Sequence, residues 1–149
     1  MLFRSEKVGR SFADVHAPVA GMAEMNRRGD EFVTVMVRAT EPLVRWAWGV
    51  TFDDRLDHHP SHPRTRFDPS HPRAYLRVER QTIAGFPARG AALFTIRPYL
   101  YDVADVRQDP VRRENLSKAI ESMSVASLRY KGMASSRDAL LQWLAEKPQ

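Results

Sequence analysis

The sequence AYLRVERQTIAGFPARGAALFTIRPYLY (residues 74–101) contains two runs rich in β-branched and aromatic residues, 75–83 and 91–100. Gly85, Pro87 and Gly90 lie between the runs, and such residues are typical of the turn of a β-hairpin. The pattern therefore predicts two antiparallel strands joined by a short loop.

The predicted hairpin has an unusual number of polar side chains on one face. With the turn centred near Pro87, Glu79 is expected to share a face with Thr95 and Arg97. Two interpretations stay open for the polar residues of this hairpin. They line a pocket for an anionic or polar ligand, or they form a solvated outer face with cross-strand ion pairs. The residues concerned are Arg77, Glu79, Gln81, Thr95 and Arg97.

A third strand is predicted at residues 43–50, LVRWAWGV, which begin just after Pro42. Alternation places Trp46 and Trp48 on one face and smaller residues on the other, an arrangement that ordinary sheet packing and a ligand cavity explain about equally well. Arg45 and Arg80 are expected to be surface residues.

Helices are predicted on both sides of these strands. Ser11 with Asp14 three residues later forms a capping-box pattern for a short helix that ends near His16. A helical turn is predicted at residues 22–28, ended by Gly29, whereas local pattern leaves residues 31–39 open between strand and helix.

Two further helices are predicted after the hairpin. Asp109 and Pro110 are a typical helix start, and the residues 129–132 are typical of a helix end. Ser135 is expected to cap the last helix. Together these elements predict one α+β domain within 149 residues.

Composition narrows the functional classes. The 149 residues include no cysteine, which excludes disulfides, zinc–thiolate sites and iron–sulfur clusters in this chain. The net charge of +5 is spread out rather than clustered with exposed aromatic residues, so a nucleic-acid partner is not favoured. No signal peptide or membrane-length apolar run is present, and the cytoplasm is the default expectation.

Residues 53–73, DDRLDHHPSHPRTRFDPSHPR, contain four prolines and four of the five histidines. A metal site is not favoured, because no helix or strand fixes the spacing of these histidines. The segment is expected to be a mobile surface loop. Its histidines are His58, His59, His62 and His71.

Three segments carry a resemblance to a known family: EKVGRSFADVHAPVAG (6–21), YLRVERQTIAGFPARGAALFTIRPYL (75–100) and RYKGMASSRDALLQWL (129–144). They resemble the heme-dependent oxidative N-demethylases, the dimethylamine monooxygenase heme-subunit family, and the resemblance covers residues 6–144. It implies a PAS-like heme domain and favours helix for residues 31–39. It also implies that the chain corresponds to the C-terminal portion of a member and begins after two leading strands. A longer precursor or a partner chain would then complete the sheet. A homo-oligomer stays open as a further expectation.

The resemblance also implies roles for individual residues. His16 and Pro18 match the family's HAPV motif, so His16 is expected to be the axial ligand of heme b, with Met22 and Met25 as weaker alternatives. Glu79 would accept the N–H of a protonated amine. Arg77 and Arg97 would pair with the heme propionates, with Gln81 and Thr95 beside the cofactor. Trp48 and Tyr99, or Tyr75, would supply cation–π contact.

The activity implied is oxygen-dependent removal of a methyl group from a small alkylamine such as dimethylamine, with release of formaldehyde. Electrons would come from a separate flavin/iron–sulfur reductase, because this chain has neither cysteine ligands nor a dinucleotide-binding glycine motif. Ala47 and Pro98 depart from the family pattern, which has Asn and Thr at these positions. A non-catalytic PAS-type heme or ligand sensor, and an inactive fragment without cofactor, stay open as alternatives.

Overall fold

The computed structural model describes residues 7–17, 19–58 and 62–146 of the chain. Three strands, β1 (Leu43–Thr51), β2 (Tyr75–Phe86) and β3 (Ala91–Asp102), form an antiparallel sheet in the order β1-β2-β3. A short 3₁₀ turn, Pro87–Arg89, joins β2 to β3, and Gly90 completes it at φ 57°, a conformation that favours glycine. The predicted α+β class and the hairpin are confirmed, and the PAS-like label stays a prediction.

Within residues 7–17 and 19–42, three helices precede the sheet: α1 (Phe12–His16), α2 (Ala23–Arg27) and α3 (Gly29–Arg38). The predicted capping box of α1 is confirmed, because the Ser11 hydroxyl accepts from the Asp14 N–H at 3.1 Å and the Asp14 carboxylate accepts from the Ser11 N–H at 3.3 Å. The helical turn predicted at residues 22–28 is confirmed as α2, which ends just before Gly29. Gly29 does not end the helical region, however, since α3 begins there. The ambiguous residues 31–39 lie almost entirely in α3, as the family resemblance favoured.

Four helices follow the sheet in the described residues, where two were predicted: α4 (Val103–Gln108), α5 (Pro110–Glu121), α6 (Val125–Lys131) and α7 (Arg137–Ala145). Asp102 caps α4 and Ser124 caps α6 through their side-chain oxygens. The start of α5 at Asp109 and Pro110 is confirmed. The prediction missed α4 and treated α5 and α6 as one helix, because isolated cap residues are weak signals inside a helical pattern.

Ser136, rather than the predicted Ser135, is the N-terminal cap residue of α7. Its hydroxyl is not used on the helix: it accepts a hydrogen bond of 3.1 Å from the backbone N–H of Phe67. Both residues are buried. The contact anchors the long β1–β2 connection onto the start of α7.

The chain divides into two compact units, Met1–Ala47 with Glu79–Arg97, and Trp48–Val78 with Pro98–Gln149. The apolar core of the described residues lies in the second unit. It contains residues from the end of β1, from the β1–β2 connection and from all four later helices: Val50, Phe52, Phe67, Ala74, Val103, Leu116, Ile120, Leu128, Met133, Leu140, Trp143 and Leu144.

The first unit is stabilised by a contact between two aromatic rings and by the close approach of α3 to β2. The rings of Phe12 and Phe32 stack with centroids 6.4 Å apart, which joins α1 to α3. The last turn of α3 approaches Gly85 on β2, where a Cβ atom would lie 2.4 to 2.8 Å from three backbone carbonyl oxygens. No helix in the described ranges has the length and apolarity needed to cross a membrane.

Candidate functional site

His16, the predicted iron ligand, is the last residue of α1 and is half-buried. Its Nδ1 lies 2.8 Å from the carbonyl oxygen of Phe12. A carbonyl oxygen only accepts, so Nδ1 carries a proton, and in the neutral imidazole Nε2 then keeps the lone pair that a metal requires. Histidines that bind metals commonly donate their second N–H in this way. The donor chemistry of His16 therefore fits an axial heme ligand.

Packing also fixes the ring of His16. Its centroid lies 4.1 Å from that of Phe12, and the two rings are tilted by 31°. Within the described residues of the first unit, His16 is the single histidine, since His58, His62 and His71 lie in the second unit. His59 and Pro18, which belong to the predicted histidine loop and HAPV motif, lie outside the described residues.

A second polar feature of the first unit links Arg45, Gln81 and Glu79, a set that we call the Arg45–Gln81–Glu79 row. The Arg45 Nε donates to Gln81 Oε1 at 2.7 Å, and Gln81 Nε2 donates to Glu79 Oε2 at 3.0 Å. Gln81 is only 8% exposed, whereas Glu79 is half-buried. Two of the predicted site residues, Glu79 and Gln81, are thus in direct contact.

The contacts of Arg45 correct the expected register of the hairpin. Its guanidinium carbon lies 6.0 Å from the centroid of the Phe94 ring, so Phe94 shares the face of Gln81. Alternation then places Thr95 and Arg97 on the opposite face from Glu79. The expected shared face is therefore wrong: it assumed a turn centred on Pro87, whereas the turn occupies residues 87–90 between two strands of 12 residues. The roles predicted for Thr95 and Arg97 stay predictions.

The face that carries the Arg45–Gln81–Glu79 row is otherwise apolar in the first unit. Leu43, Phe94 and Ile96 belong to it by alternation, and their exposed fractions are 49%, 45% and 47%. An apolar surface crossed by a line of charged and amide groups suits a flat, largely apolar ligand that carries polar substituents.

Arg77, Trp48 and Tyr99, the remaining predicted site residues, lie in the second unit and are all half-buried. Trp48 already has a cation near its ring, since Lys131 Nζ lies 5.8 Å from the ring centroid. The same ammonium donates to the carbonyl oxygen of Trp48.

A polar cluster in the second unit surrounds Asp53. The carboxylate accepts from the Thr65 hydroxyl at 2.7 Å, and His58 Nε2 lies 3.3 Å from it. Burial raises the pKa of Asp53, but hydrogen bonds from Thr65, the Arg55 N–H and His58 outweigh it and keep the pKa below the ordinary value. An adjacent cleft of about 300 Å³ is lined in part by Asp53, Asp68 and His71. Across the described ranges, no group of three or more His, Cys, Asp or Glu residues could hold a metal ion.

Sequence reasoning missed two residues. Arg45 stays exposed as expected, but its guanidinium bonds Gln81 across the β1–β2 pair, and the strand pairing that brings them together was not available from local pattern. Lys131 was interpreted only as a basic residue at a helix end, where it is indeed located, in the last turn of α6. Its contact with Trp48 has no local sequence signal, because 83 residues separate the two.

Comparison with known families identifies the family to which the chain is similar. The family described as "Haem-dependent oxidative N-demethylase, alpha subunit-like" matches residues 3–141. The matched span includes every residue to which the sequence assigned a site role, from His16 on α1 to Tyr99 on β3. It extends through the first half of α7, so the match covers nearly the whole chain.

Proposed function

Because the chain belongs to the heme-dependent oxidative N-demethylase alpha-subunit-like family, we propose that it catalyses the oxidative N-demethylation of a small alkylamine. The proposed substrate resembles dimethylamine, and the methyl group leaves as formaldehyde. The proposed cofactor is heme b, and a separate flavin/iron–sulfur reductase supplies the electrons. The observation that carries this proposal is the Nδ1–H of His16 on the Phe12 carbonyl, which leaves Nε2 available for iron.

Heme, when bound, supplies the oxygen-dependent oxidation, which no amino-acid side chain can perform alone. In this proposal His16 holds the iron through Nε2. The apolar residues Leu43, Phe94 and Ile96 limit the access of water to the reacting methyl group. Apolar contacts of this kind stabilise a bound flat, apolar ring more than they stabilise a bound small polar metabolite.

Glu79 is the proposed binding group for the amine. A small dialkylamine is protonated at neutral pH, and a carboxylate accepts the ammonium N–H in a charge-assisted hydrogen bond. The Glu79 carboxylate is half-buried, which strengthens such a bond relative to one in bulk water. This residue would therefore orient the amine and its methyl groups.

The other proposed roles rest on the family pattern. In the first unit, Gln81 supports Glu79. The roles of Arg97 at a propionate and of Thr95 beside the cofactor stay predictions of the family pattern, because alternation places both residues on the face of the sheet opposite Glu79. For Arg77, Trp48 and Tyr99, which lie in the second unit, the predicted roles are a propionate contact and two cation–π contacts.

The decisive experiment uses the full chain loaded with hemin, supplied with dimethylamine, a chemical reductant and oxygen. Formaldehyde is the expected product, and Glu79→Gln should lower its rate by about tenfold or more, because the amide lacks the charge that binds the ammonium. Glu114→Gln on α5 is the matched control, since Glu114 is exposed and pairs with Lys118. Loaded protein that yields no formaldehyde contradicts the proposal.

One observation favours a second function, that of a heme sensor without turnover. Ala47 lies on the same face of β1 as Arg45, at the position where the family pattern has Asn. Loss of a polar side chain beside the Arg45–Gln81–Glu79 row favours ligand binding without turnover. A PAS-type heme sensor would bind hemin and respond to a ligand in its absorption spectrum, yet release no formaldehyde.

A further inference from the structure

We infer that Arg45 and Gln81 are positioning residues, which hold the Glu79 carboxylate in one orientation for a protonated amine. The inference rests on the proposed function for the identity of the ligand. It adds two residues to the site that have no role in binding the amine themselves. Arg45 was expected only on the surface, and Gln81 was expected only beside the cofactor.

The direction of the Arg45–Gln81–Glu79 row follows from the chemistry of its first member. A guanidinium has donors and no acceptor, so the amide group of Gln81 must turn its oxygen towards Arg45. The Gln81 NH₂ group must then face Glu79, which receives it at 3.0 Å on Oε2. Arg45 thereby determines which side of the amide Glu79 meets.

Position 81 has a strict chemical requirement in this arrangement. Its side chain must accept on one side and donate on the other, and an amide does both whereas a carboxylate only accepts. Because Gln81 is 8% exposed, loss of either bond leaves a buried polar group without a partner. Both ends of the amide are therefore constrained, and Glu79 Oε2 is held with them.

The amide also separates two opposite charges. If Arg45 paired directly with Glu79, its guanidinium would compete with an ammonium ligand for the same carboxylate. Through Gln81, the cation orients the anion by way of the amide dipole instead. This geometry explains why a neutral, bifunctional residue lies between Arg45 and Glu79.

The test measures the affinity of the hemin-loaded full chain for dimethylammonium, followed by the change in the Soret band without turnover. Gln81→Leu and Gln81→Glu should each raise the Kd by about tenfold, because leucine offers Glu79 no donor and a second carboxylate repels it. Arg45→Met should raise the Kd by a similar factor, because the Gln81 amide is then no longer fixed with its NH₂ group towards Glu79. Arg45→Lys should restore most of the affinity, since an ammonium also only donates. Arg80→Met, an exposed neighbour on the opposite face of β2, should stay within about twofold of the wild type.

Two further measurements separate positioning from folding and from the proposed function. Heme affinity should be nearly unchanged in Arg45→Met, and the thermal midpoint should fall by only about 5 °C, because the replaced side chain is exposed and its loss leaves one Gln81 acceptor without a partner. The variant therefore keeps the fold even where Gln81 variants do not. Unchanged amine affinity in a folded Arg45→Met variant overturns the inference and leaves the proposed function standing. Wild-type protein that binds heme but no amine overturns both.

Discussion

His16 Nδ1 and the carbonyl oxygen of Phe12 lie 2.8 Å apart, one helical turn from each other on α1. The bond is local, so it forms as soon as α1 forms and does not wait for a ligand. In the neutral imidazole it assigns the proton to Nδ1 and leaves the lone pair of Nε2 for a metal. The helix itself thus prepares the imidazole for coordination.

Replacement of His16 by Ala should abolish the Soret band that appears when hemin is added to the wild-type chain. The physical reason is the loss of the nitrogen donor, since Ala offers nothing to iron. Added imidazole should restore the band, because the space vacated by the ring admits a free imidazole. Absorption spectra of a hemin titration measure all three results.

His71→Ala is the matched control for that titration. The side chain of His71 is 85% exposed and lies in the second unit, so its removal should leave the spectrum unchanged. A Soret band that survives in His16→Ala but disappears in His71→Ala would move the ligand to the β1–β2 connection and end the proposed role of His16.

Gly85→Ala should destabilise the protein by about 2 kcal/mol or more. A Cβ atom at this position would lie 2.4 Å from the Ala39 carbonyl oxygen, 2.6 Å from that of Met36 and 2.8 Å from that of Val37. Backbone carbonyls at a helix end cannot rotate away as a flexible side chain can, so β2 and α3 must separate. Equilibrium unfolding in urea measures the difference.

Gly49→Ala provides the comparison for Gly85→Ala, because Gly49 is also a strand glycine. Its added Cβ would meet only the flexible Lys131 side chain, at 3.8 Å or more. We therefore expect no loss of stability from steric overlap at Gly49. Equal losses in the two variants would show that the close approach of α3 does not explain the effect of Gly85→Ala.

Local chemistry predicted those parts of the fold that depend on neighbouring residues. The capping box of Ser11, the Asp109–Pro110 start of α5 and the hairpin turn all depend on contacts within a few residues, and each is confirmed. The apparent strand pattern of residues 32–37 was misleading by itself. Phe32 packs on Phe12 in α1, and this contact outweighs the weak helix propensity of the β-branched residues within the run 32–37.

The candidate site was less accessible to sequence reasoning. Glu79 and Gln81 lie two residues apart on one strand, so their shared face followed from alternation alone. Arg45 is 36 residues from Gln81, and only the pairing of β1 with β2 brings its guanidinium to the amide. The predicted register of the hairpin was wrong for a related reason, because register also depends on how two strands pair. A shift of one residue moves a side chain to the other face of the sheet.

Thr65→Val should destabilise the protein more at pH 7 than at pH 3. Burial alone would raise the pKa of Asp53, but the hydrogen bonds to its ionised carboxylate outweigh burial. The pKa of Asp53 therefore lies below 3.8 in the folded protein. The folded state thus binds fewer protons at Asp53 than the unfolded state, and this stabilisation is present above the unfolded pKa. It is lost as the pH falls through the folded pKa. Urea unfolding at several pH values measures the difference between variant and wild type.

Thr34→Val serves as the control for Thr65→Val, because the Thr34 hydroxyl donates to the backbone carbonyl of Asp30 rather than to a carboxylate. Its effect on the free energy of unfolding should be the same at pH 7 and pH 3. If the cost of Thr65→Val were equally independent of pH, the hydrogen bond to the ionised Asp53 carboxylate would not contribute as described.

Lys131→Met should lower the free energy of unfolding by roughly 1 kcal/mol, and the loss should persist in high salt. The half-buried Lys131 ammonium lies 5.8 Å from the centroid of the Trp48 ring and donates to the Trp48 carbonyl, and salt screens such partly buried contacts weakly. Lys118→Met removes an exposed ion pair with Glu114 instead, so its smaller effect should vanish as salt is added. Unfolding in urea with and without added sodium chloride distinguishes the two lysines. If the effect of Lys131→Met disappears in salt, Lys131 acts only as a surface charge. The Trp48 ring would then have no bound cation that prevents an amine from contacting it.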